Sequence, residues 1–346
     1  MSCYISAYPN KSMGRAGALE CAPGQHEMQL IGEEGVGAEV AAGTDNDVRP
    51  KKLWSKGAYQ RWIADGLLLL ASLIWGSTFS IVKGIVPRVD PIALIGIRFL
   101  VASFIATLIV APKISGVDRE AAKAGVIIGL ILFSGYVCQT IGLEYTTASK
   151  CGFITGLSVV LVPILSAFLL RKRPDTPSLI GVGFATLGLA LLSLDFAEVT
   201  LIQIGDFLSL LGAVAFGFHI VTVGKFAPFH DVRILVVMQL WTVAIASLAM
   251  VGFRVFVLGH AVLVSPSGMD LVGIGFLGIL ATALTLFVQN FAQRFTDPTH
   301  VAIIFATEPV FAGVFGWWLL GETLTGVQII GAALILVGML IAEIMG

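Results

Sequence analysis

The sequence predicts an all-α polytopic membrane protein: ten transmembrane helices arranged as two inverted five-helix repeats. Three observations predict it. Apolar residues make up 57% of the 346-residue chain and charged residues only 12%, whereas a soluble globular protein carries roughly 25% charged residues. Nearly all of the apolar residues fall after residue 62, in blocks of about 20, the length that spans a hydrocarbon core of about 30 Å as a helix. The chain also resembles itself at a shift of 150 residues. A large soluble core would need polar helix faces, which these blocks lack.

Residues 1–62 are polar and glycine-rich, with Glu33-Glu34 followed by a basic run of Arg49, Lys51, Lys52, Lys56 and Arg61. They contain no apolar region of the length a secretory signal needs. We read them as a disordered cytoplasmic tail whose basic run anchors to anionic headgroups. Met13 and Met28 are alternative starts for the chain.

Ten spans follow, at 63–83, 91–110, 124–143, 151–170, 178–195, 205–225, 234–253, 270–292, 298–320 and 325–344. Connections of only about four to eight residues make sequential helices antiparallel neighbours. Lysine and arginine in the loops set the orientation. On the side of the N-terminus lie fourteen: Arg49, Lys51, Lys52, Lys56, Arg61, Lys113, Arg119, Lys123, Arg171, Lys172, Arg173, Lys225, Arg233 and Arg294. The other side has four, Lys83, Arg88, Lys150 and Arg254. Both termini are therefore expected in the cytoplasm, with the helices in the plasma (inner) membrane.

The net charge of −1 gives no reason to expect a nucleic-acid partner. Of the four cysteines, Cys3, Cys21, Cys138 and Cys151, none has metal-site spacing, and no disulfide framework is visible. Cys138 and Cys151 read as small membrane-embedded residues.

The repeat decides the architecture. At the shift of 150, Gly125 meets Gly275, Gln139 meets Gln289, Thr146 meets Thr296, Gly181 meets Gly331 and Gly188 meets Gly338. Trp75-Gly76 and Phe216-Gly217 correspond at a shift of 141. The halves are 63–195 and 205–344. Five spans is an odd number, so the second half enters the membrane the other way round. Such inverted repeats underlie many secondary transporters, with the site near the midplane where the halves meet.

The same residues carry a family resemblance. Trp75-Gly76-Ser77-Thr78-Phe79, Arg98-Phe99, Tyr145-Thr146-Thr147-Ala148-Ser149, Glu308-Pro309-Val310-Phe311 and Gly321-Glu322 occur in the order and spacing of a ten-helix EamA-type member of the drug/metabolite transporter superfamily. The chain resembles that family over residues 63–344. The resemblance implies export or import of a small organic solute. One departure is visible: Lys172 stands in the first half where Glu322 stands in the second.

Three ionisable residues lie well inside spans: Arg98, His219 and Glu308. Glu308 sits among Ile304, Phe305, Phe311 and Ala312 at helical spacing, and an apolar setting favours the neutral form of a carboxyl. This would let it take up and release a proton during transport. Pro309 beside it removes a backbone donor and marks a kink or hinge. A purely structural, hydrogen-bonded glutamate is the bland alternative. Arg98 reads either as a partner for an anionic substrate group or for Glu308, or as a packing arginine whose stem snorkels toward the interface; the family resemblance implies a gating or structural charge. His219, with Thr222 near it, is a candidate proton relay.

Polar stripes complete the candidate site. Span eight carries Thr282, Thr285, Gln289 and Gln293 on one face; its repeat mate carries Tyr136, Gln139 and Thr140; span four carries Thr155 and Ser158; span one carries Trp75 and Thr78. Such faces pack together or line a watery cavity, because facing lipid is costly. Trp75, Tyr136, Trp241, Phe305 and Phe311 are candidate apolar walls. Gly125 with Gly129, Gly181 with Gly188, and Gly331 with Gly338 read as packing seams.

The resulting expectation is a secondary transporter working by alternating access on a small metabolite, such as an amino acid or another amphipathic solute. Trp75, Thr78, Tyr136, Gln139, Thr155, Thr285, Gln289 and Glu308 would bind the substrate, and Glu308 with His219 would carry protons, unless the protein works as an exchanger or an uncoupled facilitator. No phosphate loop, metal cluster or nucleophile elbow is present, so no cofactor, metal or enzymatic activity is expected. The bilayer and the solute are the expected partners, and a homodimer is compatible with the sequence. An intramembrane enzyme acting on a lipid-soluble substrate is the alternative from another class. A nucleotide-sugar or organophosphate transporter is less favoured, because Arg98 alone would meet the phosphate.

Overall fold

The computed structural model describes residues 58–113, 118–146, 148–171, 174–193, 203–320 and 325–345. Among these the regular structure is helical, and the one extended pairing is an isolated bridge from Val89 to Val264. We number ten helices. Seven are continuous: α1 (Ala58–Ile85), α2 (Pro91–Val110), α3 (Arg119–Gly142), α5 (Thr176–Ser193), α6 (Ile204–Phe226), α7 (Val232–Phe256) and α10 (Gly326–Met345). Three are interrupted. α4 consists of Ala148–Gly156 and Ser158–Leu169, and α9 of Pro298–Phe305 and Glu308–Leu320. α8 consists of Gly268–Gly278 and Thr285–Ala292, joined by a π-helical stretch, Ile279–Leu284. Eight of the ten are long and apolar enough to cross a membrane, and α5 and α10 carry shorter apolar stretches. The chain is an integral, polytopic, all-α membrane protein.

The helix starts follow local chemistry. Asp90 accepts from the N–H groups of Ile92 and Ala93, with Pro91 at the first helical position of α2, where a missing donor costs nothing. Asp118 caps α3 and Asp231 caps α7. Ser267 with Asp270, and Gln203 with Asp206, close reciprocal capping boxes on α8 and α6.

Span four, expected as a continuous helix, and span nine, expected to kink at Pro309, are each broken near their middle. In α9 the cause is legible: Pro309 has no N–H to give the preceding turn, and the Thr307 hydroxyl donates to Ile304 O at 2.7 Å at the break. In α4 the break falls at Leu157, with Pro163 six residues further on. The tail 1–57, including Met13, Met28, Cys3 and Cys21, lies outside the described residues. So do Lys172, Arg173, Gly321 and Glu322.

The helices pack in a reciprocal pattern. α3 lies on α6 and α7, and α8, five places later, lies on α1 and α2. α4 lies on α6, and α9 lies on α1. α2 meets its own counterpart α7, and α5 meets α10. The α5–α10 seam shows the relation residue by residue. A Cβ on Gly181 would lie 2.7 Å from Gly338 O, and a Cβ on Gly188 would lie 2.5 Å from Gly331 O. Residue i of one helix thus meets the counterpart of j in the other, while j meets the counterpart of i, which is the signature of a two-fold contact. Only glycine permits backbones this close.

One end of the bundle is clasped by charges that join the first five helices to the last five. Arg88 forks onto Asp270, with Nε at 2.6 Å and Nη2 at 2.7 Å. Arg254 donates to Asp90 at 2.9 Å and Lys150 to Asp206 at 2.6 Å. Backbone bonds from Asp90 N to Leu263 O and from Ser265 N to Arg88 O run beside them. At the opposite end the corresponding links use histidine: His300 Nε2 lies 3.6 Å from Asp65, and His230 Nδ1 lies 3.3 Å from Asp118.

Candidate substrate cavity

A cavity opens where six helices meet, and its walls come from matched positions. α1 supplies Trp75 and Thr78; α6 supplies Phe216, His219 and Ile220. α3 supplies Leu132, Tyr136 and Gln139; α8 supplies Leu286 and Gln289. α4 supplies Thr155, Gly156 and Ser158; α9 supplies Phe305 and Glu308. At the two sequence shifts, 141 and 150, twelve of these form six pairs: Trp75 with Phe216, Thr78 with His219, Tyr136 with Leu286, Gln139 with Gln289, Thr155 with Phe305 and Ser158 with Glu308. Both members of each pair reach the same space. The scaffold is repeated, but the chemistry is not: the second copy exchanges two polar groups for apolar ones and adds an imidazole and a carboxyl.

The breaks in α4 and α9 position the centre. Ser158 and Glu308 each begin the segment beyond a break. The breaks lie against one another, since a Cβ on Gly156 would sit 3.1 Å from Pro309. α1 presses on the α9 break. A Cβ on Gly76 would lie 2.7 Å from Phe311 Cβ and 2.9 Å from Glu308 O, and Ser72 Oγ is 2.9 Å from Thr307 Oγ1. Among the described residues, the Glu308 carboxyl makes no hydrogen bond or ion pair.

Within the π-helical stretch of α8, one carbonyl is used by two other helices, α1 and α2. Ala281 O accepts from Trp75 Nε1 at 2.9 Å and from Arg98 Nη2 at 3.4 Å. Arg98 Nε also donates to Thr282 Oγ1 at 2.9 Å, and its guanidinium stands 4.8 Å from the centre of the Tyr136 ring. Arg98 is 4% exposed. The expected snorkelling is thus replaced by an inward contact, because a hydroxyl, a carbonyl and a ring face lie within reach. Arg98 stands behind Tyr136 and does not line the cavity.

The remaining candidates divide. Gln139 Nε2 donates to Thr155 Oγ1 at 3.0 Å, and Gln289 Nε2 donates to Gln293 Oε1 at 3.1 Å. His219 Nε2 lies 3.3 Å from Gln239 Oε1, and Gln239 donates on to Asn290 at 2.8 Å. Thr285 is buried outside the cavity lining, and its hydroxyl has no hydrogen-bond partner. Trp241 is also elsewhere, donating to Thr107 at 3.0 Å and stacking edge-on with Phe104. Phe311 packs on Gly76 rather than on the cavity. Sequence reasoning did not assign Phe216, Leu286 or Ile220 to the site, although projecting Trp75, Tyr136 and Phe79 through the repeat reaches all three.

A polytopic helical bundle with a central, mixed-polarity cavity between matched helices defines a membrane transporter by architecture, and the comparisons identify which kind. The model of the EamA-like transporter family matches twice, over residues 62–194 and 203–343. The chain belongs to the EamA-like transporter family. It is 35% identical over 285 residues to an uncharacterized transporter of Archaeoglobus fulgidus, an alignment covering 82% of this chain and 87% of that one. It is 25% identical to a Salmonella typhimurium protein named a probable amino-acid metabolite efflux pump, over 80% of this chain and 94% of that one. One solved crystal structure superposes with a TM-score of 0.70 at 18% identity, covering 82% of this chain and 99% of its own; this likeness concerns the fold alone.

Proposed function

We propose that the protein is a secondary transporter that carries a small organic metabolite, such as an amino acid or a related amphipathic solute, by alternating access. The two five-helix halves, 63–195 and 205–344, rock about the central cavity. The observation that carries this reading is Glu308: a carboxyl at a helix break, facing the cavity between the halves, with no side chain to neutralise it. A charge held in a membrane interior is costly and is characteristic of substrate and ion pathways. Glu308 takes a proton from one side and releases it to the other, coupling solute movement to the proton gradient.

Trp75, Thr78, Tyr136, Gln139, Thr155 and Gln289 contact the solute. Thr285, buried beside them, acts through α8. The relative named as an amino-acid metabolite efflux pump supports the choice of substrate class. With both termini in the cytoplasm of a plasma membrane, the clasp of Arg88, Arg254 and Lys150 lies on the outer face and holds the halves together there. Nucleotide sugars and organophosphates are disfavoured, since among the described lining residues there is no lysine or arginine.

The test is reconstitution. Purified protein in liposomes loaded with a metabolite mixture is expected to exchange one solute across the membrane and return it chemically unchanged. Recovery of an altered product would instead indicate an enzyme acting within the membrane.

A further inference from the structure

We propose that the cavity selects solutes bearing an ammonium group, seated at Glu308 and framed by aromatic rings. The inference rests on the transport reading above and specifies what that site recognises.

The first observation is the charge of the wall. Glu308 is the carboxylate of the lining, and Arg98, packed behind Tyr136, is turned away. Its Nε is bonded to Thr282, its Nη2 faces Ala281 O, and the Tyr136 ring covers it. Arg98 therefore commits Nε and Nη2 within the protein and is absent from the cavity lining.

The second observation is which hydrogen-bonding groups are already committed. Trp75 gives its N–H to Ala281 O, and Thr78 gives its O–H to Trp75 O at 2.7 Å. Gln139 and Gln289 each direct the amide nitrogen to a neighbouring side chain. Their amide oxygens make no hydrogen bond among the described residues. Trp75, Thr78 and one N–H of each glutamine are thus engaged within the protein, while three acceptors of the wall make no hydrogen bond among the described residues: two amide oxygens and the carboxyl of Glu308. A solute rich in N–H donors matches this wall, and an anion does not.

The third observation is the rings. Trp75 and Phe305 meet edge to face at 4.9 Å, and Tyr136 and Phe216 do so at 5.5 Å. Aromatic faces carry negative potential and attract cations, most strongly where water is excluded. A charge-assisted hydrogen bond to Glu308 adds to that attraction and fixes the orientation of the solute. A solute carboxylate placed there would meet a like charge.

Three probes with one aromatic body test this: phenethylamine, phenylalanine and 3-phenylpropionate, titrated calorimetrically against the full-length protein in lipid nanodiscs. The expected order is amine and zwitterion together, with 3-phenylpropionate at least about tenfold weaker, a difference of about 1.4 kcal/mol. Glu308→Gln is expected to weaken phenethylamine at least about tenfold and to leave 3-phenylpropionate unweakened; Glu308→Asp keeps part of the affinity and controls for folding. Binding of 3-phenylpropionate as tight as the amine, no binding of the amine, or a Gln variant that binds it like wild type would overturn the inference. If wild-type liposomes still move a neutral or anionic solute in that case, the transport reading stands without this one. If no solute crosses at all, the transport reading is what fails.

Discussion

Ser158 and Glu308 occupy equivalent places in two broken helices, and both face the same cavity. One is a hydroxyl and the other a carboxyl, so an almost symmetric scaffold is asymmetric at its centre. In the proposed mechanism Glu308 alone carries the charge. Ser158→Ala is therefore expected to lower initial uptake in proteoliposomes by no more than about tenfold, the scale of one neutral hydrogen bond. Ser158→Glu would set two carboxyls in one low-dielectric space and is expected to abolish uptake at neutral pH. Uptake by Ser158→Glu at the wild-type rate would argue against the placement of both residues.

Gly76 and Gly217 correspond in the repeat, yet their surroundings differ. A Cβ at Gly76 would meet Phe311 at 2.7 Å and Glu308 O at 2.9 Å, whereas at Gly217 the nearest atom, at 3.3 Å, is a Leu165 side-chain carbon. Gly76→Ala is expected to push α1 off the α9 break at a cost of about 1–3 kcal/mol, and Gly217→Ala to cost less than about 1 kcal/mol. Thermal unfolding of the two variants in the same detergent checks the difference. Equal shifts would mean that α1 does not brace that break.

Much of this was legible beforehand. Apolar block length placed the ten helices, and the register of Gln139 with Gln289 and Gly188 with Gly338 placed the repeat. Pro309 marked a break because the missing N–H is a local property. The break at Leu157 carries no such mark, since what opposes it is the Pro309 ring packed against Gly156 in another helix. The π-helical stretch in α8 was also hidden, because Ile279–Leu284 reads as ordinary apolar helix. Its use appears only once Trp75 and Arg98 arrive at Ala281 O from α1 and α2. Arg98 itself could be found but not aimed: a long side chain in an apolar span fits snorkelling and inward bonding equally well until Thr282 and Tyr136 are located.

The clasp formed by Arg88 with Asp270 and by Arg254 with Asp90 should bias the conformational equilibrium. The Asp270 carboxylate raises Arg88 above the ordinary arginine value, so the pair stays charged throughout the workable pH range. Arg88→Ala combined with Arg254→Ala is expected to raise, several-fold, labelling of a cysteine at Thr78 by an impermeant maleimide added from the outer face. Cys3, Cys21, Cys138 and Cys151 would be replaced in the background. Unchanged labelling would show that the clasp does not hold the cavity closed from that side.

The cap of α3 gives a pH prediction. The Glu120 N–H, with a smaller contribution from His230, holds Asp118 below the usual carboxylate range. A lowered value in the fold means that the contribution is present above about pH 4, the ordinary aspartate value, and is lost as pH falls through the lowered value. Asp118→Asn should therefore melt below wild type at pH 7, with the gap closing at the acid end. A gap that is constant across that range would mean that the carboxylate charge is not what stabilises the cap.

The central claim is that Glu308 couples solute movement to protons. Its direct test is internal pH, read with a trapped dye in liposomes while the solute found by reconstitution moves down its own gradient. Wild type is expected to move protons together with the solute. Glu308→Gln is expected to leave internal pH unchanged while solute still exchanges against solute. Solute-driven proton movement by the Gln variant at the wild-type rate would contradict the account.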